Sequence, residues 1–225
     1  MNKEDLDKIL ASYATKNPSF EKRILNTNYN VLGISAVLLN KLAKNDCVLN
    51  YEFSKEEIVS SYEKTYLYLA SNLYKKRQSI DEQVSFLYDN FECIDSWAFT
   101  DSLVNYLEKA SLNTAKEFLS SKEIFLRRFG YVLLLRFCKS KENQTYIFST
   151  FDNDERYYVF MAEAWLLSYC FIYYFDDTYN FVLNSSFSNQ IKIKGIQKAI
   201  ESRRVSTDNK EKLKNLRKKL RSAGF

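Results

Sequence analysis

Turn-forming residues are scarce in this chain. Its 225 residues include only four glycines and one proline, Pro18. Sandwiches and α/β folds need many tight turns, and tight turns favour these two residue types. A chain with so few of them is therefore expected to fold mainly into helices. Its length allows one sizeable core, and we expect a single domain over residues 1–225.

Apolar residues recur at the spacing of amphipathic helices along most of the chain. This pattern predicts helices near residues 3–14, 34–45, 54–75, 79–90, 96–108, 110–120, 122–138, 155–175, 194–204 and 208–222. Ser54 followed by Glu57 has the spacing of a capping box, which marks a helix start. Strand-like alternation is confined to a few residues near 145–150 and 186–193. The sequence therefore predicts an all-α fold.

Pairs of predicted helices with short polar connections recur at roughly 40 residues, the repeat length of HEAT-like proteins. A helix pair cannot bury its apolar face alone, so neighbouring pairs stack and complete the core. We therefore expect HEAT-like helical repeats, an α-solenoid, with a concave surface for a large ligand. A helix bundle of the four-helix type is the competing architecture.

Positive charge is concentrated at the C-terminal end. Residues 191–225 hold twelve Lys and Arg against three Asp and Glu, whereas residues 1–190 hold 21 against 25. In the last predicted helix a basic face is formed by Lys210, Lys214, Arg217 and Arg221, and a separate apolar stripe is formed by Leu213, Leu216 and Leu220. The apolar stripe is expected to dock and the basic face to contact phosphates. The alternative is a solvated face without a ligand.

Several kinds of chemistry are excluded by the composition. The chain contains no histidine, which removes His-based triads and the commonest metal ligand. Carboxylates must then supply any acid–base or charge-stabilising chemistry. The cysteines lack the paired spacing of a zinc or redox site, and we expect four reduced core thiols. These cysteines are Cys47, Cys93, Cys138 and Cys170. We expect neither a metal nor a cofactor.

Two segments bear on the cellular compartment. The charged N-terminal residues lack the apolar stretch of a secretory signal, so we expect a cytoplasmic protein. Residues 157–175 carry a single charge, Glu163, and approach the length of a membrane span. They contain five tyrosines and lack a positively biased flanking loop. A buried central helix is therefore the preferred interpretation.

Two tryptophans and an arginine pair are the candidate site residues. Trp97 and Asp101 are four positions apart, so they are neighbours on one helix face, where an aromatic ring beside a carboxylate suits a cationic ligand. The alternative is that Trp97 is a core residue. Arg127 and Arg128 interrupt an apolar helix and need water, a carboxylate or a phosphate. Arg128 lies 31 residues after Trp97 and 37 before Trp165, near one repeat each, so we expect these side chains to meet on one concave surface.

At these residues the sequence resembles the AlkD-like DNA alkylation repair proteins, which are built of HEAT-like repeats. The resemblance covers roughly residues 30–205. Its matching pieces lie at residues 32–34, 42–44, 96–101, 126–128, 162–166 and 201–204. The resemblance implies a monomeric, monofunctional DNA glycosylase that removes cationic N-alkylated purines, such as 3-methyladenine and 7-methylguanine, from duplex DNA.

The resemblance also implies roles for individual residues. Trp97 and Trp165 would contact the deoxyribose and backbone at the lesion. Asp101 would stabilise positive charge on the sugar and position water, and Arg128 would hold a phosphate. Arg127 and the residues Arg203 and Arg204 of the 201–204 piece are further expected DNA contacts. Such proteins are understood to leave the base stacked, and no insertion here predicts a base-flipping pocket.

One segment departs from the family pattern. Glycosylases of this family carry a helix before the 32–34 piece, with a tyrosine that engages the lesion site. Here residues 15–31 contain Pro18 and four asparagines, and Ile24 lies nearer to the tyrosine position than Tyr29 does. A non-catalytic binder of damaged or branched DNA is therefore the first alternative. An α-solenoid adaptor for a protein partner is the second.

Overall fold

A computed structural model describes residues 1–222 of the chain. Within them it contains fifteen α-helices, three short 3₁₀ turns and no strand. The prediction of an all-α fold is confirmed. The helices form two compact units, Met1–Ser111 and Leu112–Phe225, which are described separately. A single domain over the whole chain stays a prediction.

Eight helices form the first unit. They are α1 (Lys3–Tyr13), α2 (Ser19–Leu25), α3 (Ala36–Ala43), α4 (Asp46–Leu49), α5 (Lys55–Ile58), α6 (Tyr62–Lys75), α7 (Ile80–Asp89) and α8 (Trp97–Leu103). Helix α6 is the centre of this unit, because ten of its fourteen residues are buried. Helix α3 packs along it, and helix α1 buries Leu6 and Leu10.

Aromatic rings fill the core of the first unit. The ring of Phe99 on α8 is fully buried. Its centroid lies 4.4 Å from that of Tyr62 and 6.3 Å from that of Tyr66, both on α6. Tyr29 meets Phe99 edge to face at 6.2 Å. Because aromatic side chains bury large apolar areas, these contacts fix α8 against α6.

The predicted helix over 54–75 is wrong as a single element. Ser54 and Glu57 do form the expected capping box, but it starts the four-residue helix α5. The Ser61 side chain then accepts a hydrogen bond from the Lys64 amide and caps α6. Two N-caps seven residues apart therefore divide the predicted helix.

Seven helices form the second unit. They are α9 (Leu112–Leu119), α10 (Ile124–Phe137), α11 (Gln144–Ser149), α12 (Tyr157–Tyr173), α13 (Phe175–Asn184), α14 (Asn189–Glu201) and α15 (Thr207–Ser222). Helix α12 is central and packs against α10 and α14, while α15 packs on α14. Leu213 and Leu216 of α15 are buried and Leu220 is half-buried, which confirms the predicted apolar stripe.

Helices α12 and α14 approach closely at Gly195. A Cβ atom added to this glycine would lie 2.7 Å from Leu167 Cδ2. That separation is too short for two carbon atoms, so any larger residue must push the helices apart. Gly195 therefore sets the spacing of the two helices that dominate the second unit.

Several sequence expectations need correction. The alternation near 145–150 belongs to helix α11, and the residues near 186–193 lead into α14. Cys138 and Cys170 are buried as expected, but Cys93 is half-buried and Cys47 is exposed. All four are free thiols. Among residues 1–222, no helix combines the length and the apolar character needed to cross a membrane.

Candidate functional site

Helix α8 presents the predicted tryptophan and carboxylate one turn apart. The helix starts at Trp97 because the Ser96 side chain accepts a hydrogen bond from the Ala98 amide at 3.3 Å. Both Trp97 and Asp101 are half-buried. Their shared helix face is therefore partly open to solvent, as a binding role requires.

The polar segment of residues 24–29 is tied to the start of α8. Trp97 Nε1 donates to the Ile24 carbonyl at 3.1 Å, and Ser96 Oγ donates to the Leu25 carbonyl at 2.5 Å. Asp95 accepts from Thr27 Oγ1 at 2.7 and 2.8 Å and from the Asn28 amide at 2.7 Å. These bonds fix the indole ring and occupy its N–H group. Trp97 therefore offers a ring face rather than a hydrogen bond to any ligand.

A cleft of about 430 Å³ opens beside this ring, and we call it the Trp97 cleft. Helices α2, α3, α6 and α8 and the loop before α3 contribute to its wall. The wall includes Glu21, Leu25, Gly33, Tyr62, Glu63 and Trp97. Its volume lies within the range of small-molecule sites in proteins. The sequence holds no insertion that predicts a base-flipping pocket, and this cleft forms between the helices without one.

Glu63 is held in the cleft wall by backbone amides. Its Oε1 atom accepts from the amides of Leu32 and Gly33, each at 2.9 Å, and of Ile34 at 3.4 Å. Gly33 adopts a φ of +76°, in the left-handed region that glycine tolerates best. A Cβ atom there would lie 2.3 Å from Thr15 Oγ1. The 32–34 piece of sequence thus forms a backbone turn that binds one carboxylate oxygen.

The electrostatic state of Glu63 follows from its burial. Its side chain is 1% exposed. Burial raises the pKa of this carboxyl group above its usual value, and the three amide hydrogen bonds oppose the rise. Within the described residues the second oxygen, Oε2, has no hydrogen-bond partner. The group therefore retains an acceptor that the protein does not satisfy.

The arginine pair of α10 is engaged inside the second unit. Arg127 forms ion pairs with Asp152 and with Asp154, the latter at 3.0 Å. Arg128 is 5% exposed and donates from Nη1 to the Tyr158 carbonyl at 2.6 Å. These partners satisfy the need for a carboxylate or another acceptor that the sequence indicated. Phosphate binding by Arg127 or Arg128 stays a prediction.

Trp165 belongs to an aromatic stripe along α12. The stripe consists of the half-buried rings of Trp165, Tyr169 and Tyr173, which are spaced one helical turn apart. Successive ring centroids are 6.1 and 6.3 Å apart. The exposed Arg204 guanidinium lies 5.7 Å from the Tyr169 ring and 4.7 Å from the Tyr173 ring. Arg204 therefore places a positive charge beside the two tyrosine rings of the stripe.

The C-terminal helix carries most of the predicted basic face. Lys214 and Arg221 are exposed, and Lys210 and Arg217 are half-buried. Lys214 also pairs with Glu211 on the same helix. Arg203, between α14 and α15, is exposed. The second unit therefore presents cations beside an aromatic stripe, and contact of these residues with DNA stays a prediction.

An acidic residue is buried on the helix that carries the aromatic stripe. Glu163 is fully buried on α12, and Asp152 and Tyr131 lie beside its carboxyl group. Burial, together with the negative charge of Asp152, raises the pKa of Glu163 to about 9. Glu163 is therefore a neutral acid at pH 7.

Sequence reasoning missed Glu63, Asp95, Tyr169 and Tyr173. The two tyrosines follow Trp165 at helical spacing, and that periodicity was a usable signal. Glu63 and Asp95 act through partners more than 28 positions away, so local spacing carries no sign of them. In the described part of the chain, no three acidic or cysteine side chains form a group suited to a metal ion.

One comparison with known proteins covers most of the chain. The family model described as DNA alkylation repair enzyme matches residues 9–201. The match contains both units' candidate residues up to the end of α14. Searches of the curated proteins and of the solved structures found no match.

Proposed function

Because the chain belongs to the DNA alkylation repair enzymes, we propose that it is a monofunctional DNA glycosylase acting on cationic N-alkylpurines in duplex DNA. The observation that carries the proposal is the pairing of Trp97 with Asp101 on one half-open face of α8. An aromatic ring and a carboxylate one turn apart suit a site where positive charge resides or develops.

The proposed reaction does not require the protein to protonate the leaving base. A purine alkylated at N3 or N7 is cationic and already a good leaving group. Its glycosidic bond breaks, the bonding electron pair moves to the base nitrogen, and the released base is neutral. Water adds to the sugar carbon and loses a proton. No histidine is needed, in keeping with a chain that has none.

Asp101 is assigned to the charge that develops on the sugar. As the bond breaks, positive charge moves onto the deoxyribose, and a nearby carboxylate stabilises it and orients the attacking water. This interaction is strongest in the transition state, so it raises the rate more than the affinity. Trp97 and Trp165 are assigned to the deoxyribose and backbone at the lesion.

The second unit is assigned to the DNA backbone. Arg203, Arg204, Lys210, Lys214, Arg217 and Arg221 are the proposed phosphate contacts. Residues 112–225 hold 20 basic against 12 acidic residues, so this unit attracts phosphates. Arg127 and Arg128 are assigned a supporting role, since protein groups already bind them.

A non-catalytic DNA binder is the second candidate, and one observation favours it. Residues 15–31 contain one helix, the seven-residue α2. The last two carbonyls of α2 accept hydrogen bonds from Trp97 and Ser96. The residue that projects there is Ile24, which is exposed and lacks the polar group of a tyrosine. In this alternative the same surfaces bind damaged or branched DNA without excision.

Release of methylated bases from alkylated duplex DNA separates the two candidates. We expect wild type to release 7-methylguanine, and Asp101→Asn to release it at least about 100-fold more slowly with nearly unchanged DNA affinity. The matched control is Asp89→Asn, which removes an exposed aspartate from the same unit. No release by wild type at saturating protein would favour the non-catalytic binder.

A further inference from the structure

The aromatic stripe on α12 continues beyond the one ring that the proposed reaction uses. Trp165 is assigned to the lesion, whereas Tyr169 and Tyr173 carry the stripe along the next two turns of the helix. All three rings are half-buried, and the two tyrosine hydroxyls form no hydrogen bond to any residue that the structure describes. Contiguous rings that remain open to solvent are typical of an interaction surface rather than of a core.

The helix that carries the stripe is fixed from its opposite side. Leu167 and Phe171 of α12 are buried, and Gly195 allows α14 to pack closely against Leu167. The rings therefore stand on a rigid support. A ligand that stacks on them does not have to order the helix as well, which lowers the free-energy cost of binding.

Positive charge lies at the end of the stripe. The Arg204 guanidinium is 4.7 Å from the centroid of the Tyr173 ring. Arg203 beside it is exposed, and neither arginine forms an ion pair within residues 1–222. The surface therefore combines rings, which stack with bases, and cations, which attract phosphates. Proteins bind unpaired strands of nucleic acid with this combination of groups.

The spacing of the rings favours an unpaired strand over a duplex. Successive ring centroids are 6.1 and 6.3 Å apart. Successive bases in one strand of a duplex are only about 3.4 Å apart and cover each other's faces, so a protein ring finds no free face between them. An unpaired strand can unstack and extend until its bases reach successive rings.

We propose that the aromatic stripe is a stacking platform for an unpaired segment of nucleic acid, DNA or RNA. Trp165, Tyr169 and Tyr173 stack with its bases, and Arg204 contacts a phosphate. Every base has a face that can stack, so the platform binds without regard to sequence. This goes beyond the proposed function, which concerns duplex DNA, and it requires neither Asp101 nor excision.

Anisotropy of fluorescently labelled oligonucleotides on the full chain tests the platform. The probes are a thymidine strand and a uridine strand of about 15 nucleotides, near the largest site size of single-strand binding folds, and a blunt hairpin duplex with as many phosphates. Tyr169→Ala with Tyr173→Ala should weaken binding of the strands about 100-fold, since each stacked ring contributes roughly tenfold. The hairpin should hardly be affected. If neither strand binds, or if strands and hairpin weaken equally, the platform is refuted.

Two control pairs separate stacking from structural damage. Tyr169→Phe with Tyr173→Phe retains both rings and should keep the affinity for the strands. Tyr146→Ala removes a half-buried tyrosine of α11, whose ring also lies beside a cation, Lys116 at 4.6 Å, and it should have no effect. Trp165 emission in a Trp97→Phe background should be quenched by the thymidine strand, because a stacked base quenches indole fluorescence. Unchanged emission at saturation would contradict stacking.

A salt series distinguishes the cation from the rings. Arg204→Gln should lower the slope of log K against log salt by about 0.7 for the thymidine strand, the value for one lost phosphate contact. The alanine pair should lower affinity at an unchanged slope. An unchanged slope for Arg204→Gln would contradict the phosphate contact. The strand that binds more tightly identifies DNA or RNA as the ligand.

The platform and the glycosylase can fail independently. A protein that binds the strands through the two tyrosines but releases no 7-methylguanine would keep the platform and refute the glycosylase. A protein that releases the base but binds the strands equally well without the tyrosines would refute the platform alone.

Discussion

The two units each present one tryptophan, but in opposite electrostatic surroundings. Trp97 stands beside two acids in a cleft, and residues 1–111 hold 13 basic against 16 acidic residues. Trp165 stands in an aromatic stripe that Arg204 extends, in a unit with 20 basic against 12 acidic residues. Under the proposed function, the acidic surroundings of Trp97 suit positive charge at the lesion, and the basic surroundings of Trp165 suit the anionic backbone.

Charge reversal in the second unit should produce the largest effect. Lys214→Glu with Arg221→Glu should weaken duplex binding about 100-fold at low salt, and lower the slope of log K against log salt by about one per lost contact. Fluorescence anisotropy over a salt series measures both quantities. The matched control is Lys8→Glu with Lys16→Glu, which reverses the charge of two exposed lysines of the first unit. If both pairs of substitutions weaken duplex binding equally, the second unit is not the preferred contact for the DNA backbone.

Removing the charge of Glu163, the buried acid of α12, should stabilise the protein. The folded-state pKa of Glu163 is about 9, against 4.5 ordinarily, so folded protein keeps a proton that unfolded protein loses. The stability that this proton confers is complete below pH 4.5 and is lost as the pH rises towards 9. Glu163→Gln should therefore raise the free energy of unfolding by about 2 kcal/mol near pH 7.

Urea unfolding from pH 4 to pH 9 checks this prediction. The gain from Glu163→Gln should vanish near the acid end of the series and grow steadily towards the alkaline end. Glu155→Gln, at an exposed position in the same unit, serves as the control and should leave the pH dependence unchanged. A constant difference across the series would mean that Glu163 titrates normally.

The smallest effect is expected where the 24–29 segment meets α8. Asp95→Asn replaces a charged acceptor of the Thr27 and Asn28 bonds with a neutral one. We expect a loss of about 1 kcal/mol in the free energy of unfolding, together with a change in the environment of the Trp97 indole. Trp97 fluorescence in a Trp165→Phe background reports both changes. A loss of stability without any change in the indole environment would show that the segment does not position Trp97.

Helices were predictable where one apolar stripe decides the structure. Helix α15 follows from such a stripe, whereas α12 follows from a long apolar segment that carries a single charge, Glu163. The pairing of Trp97 with Asp101 follows from helical spacing. Helix α11 was misread because its apolar residues alternate over only six positions, where helical and strand patterns overlap. Helix α13 was not predicted as a separate element, because Tyr174 ends α12 directly before Phe175 starts it.

The acidic character of the Trp97 cleft was not predictable from local patterns. Glu63 lies on a helix rich in apolar residues, and its role depends on the amides of residues 32–34. Residues 24–29 lie in the segment that departs from the family pattern, yet their carbonyls and side chains bind residues 95–97. Long-range hydrogen bonds decide both features, and helical periodicity cannot reveal them.

The single-turnover rate of 7-methylguanine release at saturating protein tests the central claim most directly. It should be measured for wild type, Asp101→Asn and the Lys214→Glu, Arg221→Glu pair. Saturation removes differences in affinity, so the charge-reversed pair should match wild type while Asp101→Asn falls at least about 100-fold. Equal release by Asp101→Asn and wild type, or no release by wild type, would contradict the account.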